Sequence, residues 1–175
     1  MTSDISQYNQ NPVEIKKLHP EDPMIDGLWE SSNKNYPVWI IRNTAYLQWK
    51  SNILNFNIFG VFREQELIGT FGTSFKKQDN QWVIYDLVTM DNEKCLSETL
   101  SAACRIISEE NKQLTNGDST TRKISILATP IMESMLCELE FKKDKYNFTL
   151  AVHRLNKKQI AAPDHPSTWY VSAND

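Results

Sequence analysis

The chain has 175 residues, of which 40% are hydrophobic and 23% are charged, and its 19 basic and 22 acidic side chains give a net charge of −3. This is the composition of one globular domain that can bury a core, and it lacks the basic balance of a nucleic-acid or anionic-membrane binder. No apolar run approaches the roughly 20 residues that span a bilayer, and the polar N-terminus does not have the pattern of a secretory signal.

Three cysteines cannot all pair with one another, and neither they nor the three histidines have the spacing of a metal site. These residues are Cys95, Cys104, Cys137, His19, His153 and His165. We therefore expect no metal and the reducing environment of the cytoplasm. Cys104 and Cys137 lie on or beside apolar helical stripes, so we expect both in the core. Cys95 is expected at the surface or half-buried.

The first half of the chain predicts an edge strand, two helices and a β-hairpin, preceded by a polar, mobile lead-in over residues 1–12. The expected strands are 13–18, 58–63 and 67–75, and the expected helices are 24–30 and one that begins at Asn43 or Thr44. Gly60, Gly69 and Gly72 lie inside the hairpin strands and indicate bulges or close approach of backbones.

The second half begins with an almost continuously apolar run over 82–90, which is typical of a central strand covered on both faces. The helix that follows has one apolar stripe. Its members are Leu96, Leu100, Ala103, Cys104 and Ile107. An interior strand over 124–128, a helix capped by Thr129, and strands at 148–152 and 169–171 complete the chain. A single α/β domain over 13–175, with a mixed sheet flanked by helices, accounts for this alternation.

The segment 123–155 contains a buried strand, a Thr-Pro helix start, a short amphipathic helix, Leu139-Glu140-Phe141 and a closing strand. This order resembles the last third of a Gcn5-related N-acetyltransferase (GNAT) domain, where the helix usually ends in Leu-Gly-Phe. The stretch Glu66-Leu67-Ile68-Gly69 is similar to the start of the family's third strand. The resemblance covers about 13–175 and implies a mixed, mostly antiparallel sheet of six or seven strands flanked by helices.

The resemblance implies that a thioester donor, acetyl-CoA or another acyl-CoA, lies between the strands 82–90 and 123–128. The residues that would bind it are Leu87, Val88, Met90, Lys94, Ser97 and Thr129. Asp86, inside the apolar strand, would be a general base, and His153 an acid or base. The alternatives are that Asp86 bonds to backbone or pairs with a Lys or Arg, and that His153 is structural. Strand alternation places Tyr85 on the face opposite Asp86.

A narrower resemblance involves Arg42, Tyr46, Leu47 and Trp49 together with the ending 169–175. These residues are similar to a subgroup of GNAT-like proteins, some of which are linked to the assembly of cell-surface polysaccharide or peptidoglycan. The resemblance implies that Arg42, Tyr46 and Trp49 bind the acceptor. The alternative is that Trp49 packs in the core and Arg42 is solvated.

The loop over 90–97 departs from the family pattern, because it has no glycine where the family points backbone N–H groups at the pyrophosphate. Asp91 and Glu93 suit a helix start but would repel a diphosphate, and Lys94 alone is positive. Leu136 occupies the position where many members have a tyrosine that protonates the leaving thiolate.

Two functions are consistent with these observations. The first is an N-acyltransferase that moves an acyl group from acyl-CoA or a carrier protein to an amine of a small molecule or a cell-surface precursor. The second is a GNAT-fold domain without catalysis that acts as a binding or regulatory module. Neither involves nucleic acid, and the edge strands of such a sheet allow a homodimer.

Overall fold

The computed structural model describes residues 13–32, 38–39, 41–114, 123–128, 132–142 and 169–170. The strands are β1 Glu14–Leu18, β2 Val38–Trp39, β3 Asn57–Arg63, β4 Glu66–Lys76, β5 Gln81–Thr89, β6 Lys123–Ile126 and β7 Trp169–Tyr170. The helices are α1 Met24–Ser32, α2 Thr44–Ile53, α3 Glu93–Leu114 and α4 Glu133–Glu138. Within these ranges no helix is both long and apolar enough to cross a membrane.

The central sheet has the order β1-β3-β4-β5-β6. All neighbouring strands are antiparallel except β5 and β6, which are parallel. This confirms the mixed, mostly antiparallel sheet, although it has five strands among the described residues rather than six or seven. Strands β2 and β7 pair with each other in a separate parallel ladder. The strand expected over 148–152 lies outside the described residues.

Two apolar clusters cover the two faces of the sheet. The first, the α3 cluster, joins β3, β4 and β5 to α3 and α4 through residues such as Phe71, Leu100 and Leu136. The second, the α1–α2 cluster, joins β1, β3, β4 and β5 to helices α1 and α2 through residues such as Trp29 and Leu47. Because β5 is covered on both faces, its seven central residues are all buried, as the apolar run predicts.

The packing of α3 on β4 depends on a missing side chain. A Cβ on Gly69 would lie 2.1 Å from the Oγ1 atom of Thr99, a buried residue of α3. This hydroxyl is fixed in place, because it donates a hydrogen bond of 2.7 Å to the carbonyl of Cys95. The prediction that the hairpin glycines permit close approach is therefore confirmed.

Two of the expectations for cysteine are wrong. Cys95 is 1% exposed rather than near the surface, because it falls on the same helical stripe as Thr99 and Ala102. Cys137 is exposed rather than in the core, since α4 turns Leu136 inward instead. Cys104 is half-buried, and burial raises the pKa of its thiol.

Helix α4 ends in the backbone conformation of a glycine without having one. Glu140 has a φ of 63°, and the N–H of Phe141 donates to the carbonyl of Leu136 at 2.8 Å. The N–H of Glu140 donates to the carbonyl of Cys137 at 3.0 Å. These two bonds define a Schellman motif, whose left-handed position normally holds glycine. The likeness to Leu-Gly-Phe therefore extends to the backbone.

Substituting Glu140→Gly should raise the free energy of unfolding by roughly 1 kcal/mol, because glycine adopts a positive φ without the Cβ penalty. Glu138→Gly is the matched control, since Glu138 is also exposed but lies in the last turn of α4. There the same replacement should lower stability by roughly 0.5–1 kcal/mol. Urea unfolding of the two variants measures both effects. Stability changes of the same sign in both variants would contradict the positive φ of Glu140.

Glu110, near the end of α3, is a half-buried carboxyl group held against the sheet. It accepts hydrogen bonds from Asn57 at 3.2 Å and from Thr73 at 3.4 Å. Burial raises the pKa of Glu110, although these two bonds and the charge of Lys17 act in the opposite direction. The folded state therefore disfavours the charged form of this group.

Because the pKa of Glu110 is raised on folding, its ionisation lowers stability as the pH rises through the folded value. Glu110→Gln keeps the shape of the side chain, its amide oxygen can accept the bond from Asn57, and its NH2 group can donate to the Thr73 hydroxyl instead of accepting from it. This substitution should therefore raise the melting temperature at pH 7. The gain should shrink towards zero near pH 4, where the wild-type carboxyl is protonated. Glu109→Gln, at an exposed neighbouring position, should show no such gain at either pH. A pH-independent gain at position 110 would refute a linkage to its ionisation.

Candidate active site

A β-bulge interrupts β5 near its middle. The register with β4 shifts between Thr70 and Gly72, so that two residues of β5, Asp86 and Leu87, face the single residue Phe71. Asp86 has a φ of 46°. This is the left-handed region, which Asp and Asn adopt more readily than other non-glycine residues. The aspartate therefore suits both the charge and the backbone of this position.

The bulge turns Asp86 to the α1–α2 side of the sheet. Ile84 and Leu87 both pack in the α3 cluster although they are three positions apart, because the bulge adds one residue between them. Tyr85 and Asp86 instead share the other face, where the Nζ atom of Lys50 lies 5.7 Å from the Tyr85 ring and bonds to Asp86. The expectation that Tyr85 and Asp86 face opposite sides is wrong, because strict alternation ends at the bulge.

Asp86 lies in a buried ionic cluster with Arg42, Tyr46 and Lys50. The Nζ atom of Lys50 lies 2.7 Å from one carboxylate oxygen and 2.9 Å from the other. The Nε atom of Arg42 lies 3.5 Å from the second oxygen, and the Tyr46 hydroxyl donates to it at 3.4 Å. The three charged side chains are at most 3% exposed. The alternative that Asp86 pairs with a Lys or Arg therefore matches the geometry.

Lys50 is surrounded by groups that bind an alkylammonium ion. Besides the Asp86 carboxylate, its Nζ atom donates to the Tyr46 hydroxyl at 3.0 Å. The rings of Tyr46 and Tyr85 lie 5.2 and 5.7 Å from it, within the range of cation–π attraction. A carboxylate and two aromatic rings thus form an amine site that the chain fills with its own lysine.

Helix α2 is held in place at its first turn. The side chain of Asn43 accepts the N–H of Tyr46 at 3.0 Å, which confirms the predicted cap. From α1, the Asp26 carboxylate accepts the N–H of Thr44 at 2.7 Å and its hydroxyl at 3.0 Å. Since Tyr46 and Lys50 are four residues apart, they lie on one face of this anchored helix. The two helices together therefore set the position of both side chains.

Two of the three expected acceptor-binding residues come together at Asp86. Arg42 and Tyr46 belong to the ionic cluster, whereas Trp49 is 58% exposed and only approaches Tyr46, with 6.0 Å between ring centroids. The alternative of a solvated Arg42 and a core Trp49 is wrong, because α2 turns Leu47 and Lys50 inward instead. Lys50 was missed, although its spacing of four from Tyr46 was the available signal.

The ladder between β5 and β6 ends partway along β5. Among the described residues, β6 pairs only with Gln81 to Ile84, whereas β5 continues to Thr89 beside β4. The N–H of Met90 still donates to the carbonyl of Ile68 in β4, at 2.9 Å. The bulge therefore lies just beyond the point where, among the described residues, β5 stops pairing with β6 while it continues to pair with β4.

The expected donor-binding residues Leu87, Val88 and Met90 border this region. The Leu87 side chain packs in the α3 cluster and the Val88 side chain in the α1–α2 cluster. Met90 is half-buried and touches both clusters. Since these side chains serve the core, backbone groups are what β5 can offer to a ligand here. Thr129 and His153 lie outside the described residues.

At the start of α3, where the family resemblance implies a diphosphate, a side chain of the protein bonds to the helix N-terminus. The Oδ1 atom of Asn92 accepts the N–H of Cys95 at 2.7 Å, and Lys94 and its acidic neighbours Asp91 and Glu93 are exposed. Ser97 is half-buried one turn further on. The N-cap is therefore Asn92, and the acidic charge beside it opposes a bound diphosphate.

A second ion pair, between Arg63 and Glu98, lies near the start of α3. Arg63, at the end of β3, is hydrogen-bonded to Glu98 of α3, and this bond raises the pKa of the guanidinium. The same group lies 3.8 Å from the Sγ atom of Cys95. Arg63 is thus paired within the protein, and it does not compensate for the acidic charge at the helix start. Leu136, at the position of the family's tyrosine, is buried in the α3 cluster.

Solved structures share this architecture. The chain superposes on the aminoglycoside 6′-N-acetyltransferase of Acinetobacter baumannii with a TM-score of 0.54 and 11% identity, over 81% of this chain and 99% of that one. It superposes on glucosamine-6-phosphate N-acetyltransferase of Arabidopsis thaliana with a TM-score of 0.53 and 12% identity, over 81% and 99%. An acetyltransferase of Clostridium acetobutylicum, solved with acetyl-CoA, gives 0.52 and 13%, over 79% and 96%.

The chain therefore has the fold of the Gcn5-related N-acetyltransferases, as its sequence predicts. No protein-family model matches the sequence, and no curated protein matches it either. At 11–13% identity the likeness concerns the fold, so the chemistry has to be argued from the residues of this chain.

Substituting Asp86→Asn should lower the free energy of unfolding by about 3–5 kcal/mol, because it leaves two buried cations beside a neutral amide. Asn tolerates the same φ, so backbone strain is not added. Lys50→Met should have a smaller effect, since Arg42 still faces the carboxylate. The double variant should lose less free energy of unfolding than the sum of the two single losses, by roughly 1–3 kcal/mol.

Chemical denaturation of the four proteins gives this coupling free energy directly. Asp79→Asn, an exposed aspartate in the turn before β5, serves as the control and should change stability by less than about 0.5 kcal/mol. Strict additivity of Asp86→Asn and Lys50→Met would contradict the ion pair.

Proposed function

We propose that the protein is an N-acyltransferase that transfers an acyl group from a thioester to an amine. The observation that carries this proposal is the coincidence, on β5, of the bulge at Asp86 with the end of the β6 ladder after Ile84. Beyond Ile84 no other strand of the described residues pairs with β5 on the side of β6, so backbone groups of β5 there would bond to an extended ligand. The neighbours of the same fold include N-acetyltransferases that act on sugars and aminoglycosides, which supports this class of reaction.

The ionic cluster would supply the chemistry on the acceptor side. Amide formation requires that the attacking nitrogen lose protons. The carboxylate of Asp86 lies close to the point where the described pairing of β5 with β6 ends. Tyr46 donates to that carboxylate and Arg42 contacts it, so both would orient it. Backbone N–H groups of β5 would polarise the thioester carbonyl. His153 is retained as a proposed acid or base from the sequence alone.

The donor is the second part of the proposal. The edge of β5 beyond Ile84, which pairs with no other strand of the described residues on the side of β6, fits a pantetheine arm. The start of α3 does not fit the diphosphate of CoA, because Asn92 caps the helix and Asp91 and Glu93 add negative charge. A pantetheine thioester that brings no diphosphate to α3, as on an acyl carrier protein, satisfies both observations. Lys94 and Ser97 are then surface residues of the donor side.

A binding or regulatory module without catalysis is the second candidate. It is favoured by one specific observation, that both oxygens of the Asp86 carboxylate are within 2.9 Å of the Lys50 ammonium. It also explains why Leu136 is a buried apolar residue rather than a tyrosine. The two candidates differ in whether a thioester binds and in whether its thiol is released.

Acetyl-pantetheine should raise the melting temperature at least as much as acetyl-CoA, because the diphosphate gains no favourable contact at α3 and meets the negative charges of Asp91 and Glu93. A ligand at 100 times its dissociation constant adds about 2.7 kcal/mol of stability. Adenosine 3′-phosphate 5′-diphosphate, the nucleotide part of CoA without the pantetheine arm, is the control and should give no shift. A shift with this nucleotide alone would show that α3 binds the diphosphate after all, and no shift with any thioester, including an acyl carrier protein, would favour the non-catalytic module.

A further inference from the structure

The lysine of the ionic cluster is the feature that the proposed function does not use. Every contact of its Nζ atom is to a group that would serve a substrate amine: a carboxylate at 2.7 and 2.9 Å, a phenol at 3.0 Å and two aromatic rings. The carboxylate is the one proposed as the base, so the amine nearest to that base is Lys50 itself.

The surroundings of Lys50 differ from those of three exposed lysines in the described part of the chain. It is 2% exposed, whereas Lys76, Lys77 and Lys94 are exposed to solvent. Reagents in solution acylate accessible neutral amines, so burial in an ion pair protects Lys50 from them. A thioester bound beside β5 would lie close to Lys50, because Asp86, which bonds to Lys50, belongs to that strand.

We infer that Lys50 is an acyl acceptor built into the chain, so that the site acylates its own lysine when no other amine is supplied. This rests on the proposed function, because the donor must first bind beside β5. It identifies the acceptor class as a primary alkylamine, four methylenes long and unbranched, bound by a carboxylate and two aromatic rings.

The reaction balances with the groups present. The Lys50 ammonium gives one proton to the Asp86 carboxylate, and the neutral nitrogen attacks the thioester carbonyl. The carbon–nitrogen bond forms, the carbon–sulfur bond breaks, and the second proton of the nitrogen goes to the departing thiolate. The products are an N-acyl-lysine and a free thiol, and Asp86 returns its proton to solvent. Afterwards Asp86 still faces Arg42 at 3.5 Å.

Incubating the whole chain with acetyl-CoA or acetyl-pantetheine, without added amine, tests the inference. Intact mass should show one rapidly added acetyl group, and peptide mapping should place it on Lys50. We expect acylation there to be on the order of 10²-fold faster than on Lys76, Lys77 or Lys94, the low end of what a positioned base contributes. Acetylimidazole, a reagent that needs no site, should reverse this order and modify the exposed lysines first.

Two variants separate site-directed acylation from reactivity in solution. Lys50→Arg keeps the positive charge and should remove the rapid acetyl group, while Lys77→Arg, at an exposed position in the turn before β5, should leave it unchanged. Tyr46→Phe keeps the ring over the ammonium but removes the phenol, and it should slow acylation of Lys50 without changing that of the exposed lysines. This variant serves where Asp86→Asn is too unstable to assay.

The outcomes distinguish the inference from the function on which it rests. If the thioesters raise the melting temperature and added alkylamines are acylated, but Lys50 stays unmodified, the inference is overturned and the acyltransferase stands. If the thioesters modify only exposed lysines, in the same order as acetylimidazole does, the inference is likewise overturned. If no thioester binds, the proposed function fails and the inference fails with it.

Discussion

The contact between Lys50 and Asp86 is the interaction on which the architecture of this protein depends. It joins the inner face of α2 to a strand that is buried on both sides, and with Arg42 it places charged side chains beside the apolar α1–α2 cluster. Either charge alone would carry a large desolvation cost there. The position of α2 on the sheet is therefore tied to the bulge, because only the bulge turns the aspartate towards the helix.

The bulge solves a problem that the sequence creates. A regular strand would direct residue 86 towards α3, into a layer made of Phe71, Leu100 and Ile107, where a carboxylate has no partner. One extra residue in β5 reverses the side chain and at the same time changes the direction of the strand. The same local distortion thus moves the buried charge from the α3 side of the sheet to its partners on the α1–α2 side. It lies near the point where, among the described residues, the pairing of β5 with β6 ends.

The sequence predicted the elements well and the site only in part. Periodicity and caps located β1, α1, α2, the hairpin and β5 within a few residues, because each signal is local. The glycine conformation at Glu140 was marked by its apolar neighbours, Leu139 and Phe141. The bulge left no signal of this kind, so the faces of Tyr85 and Asp86 could not be derived from alternation. Lys50 was missed because a lysine on a helix is ordinarily solvated, and its burial depends on a partner 36 residues away.

These observations relate the unusual loop to the unusual lysine. At the start of α3 the chain places Asn92 and acidic charge where the family resemblance implies a diphosphate, and at the bulge it places Lys50 beside the carboxylate that is proposed as the base. Under the proposed function, a group of the protein would in both places occupy a position that a substrate takes. The enzyme would then bind a carrier-bound thioester through its acyl arm, and an incoming amine would either displace Lys50 or react after it. The degree to which Lys50 leaves Asp86 would then control access to the site.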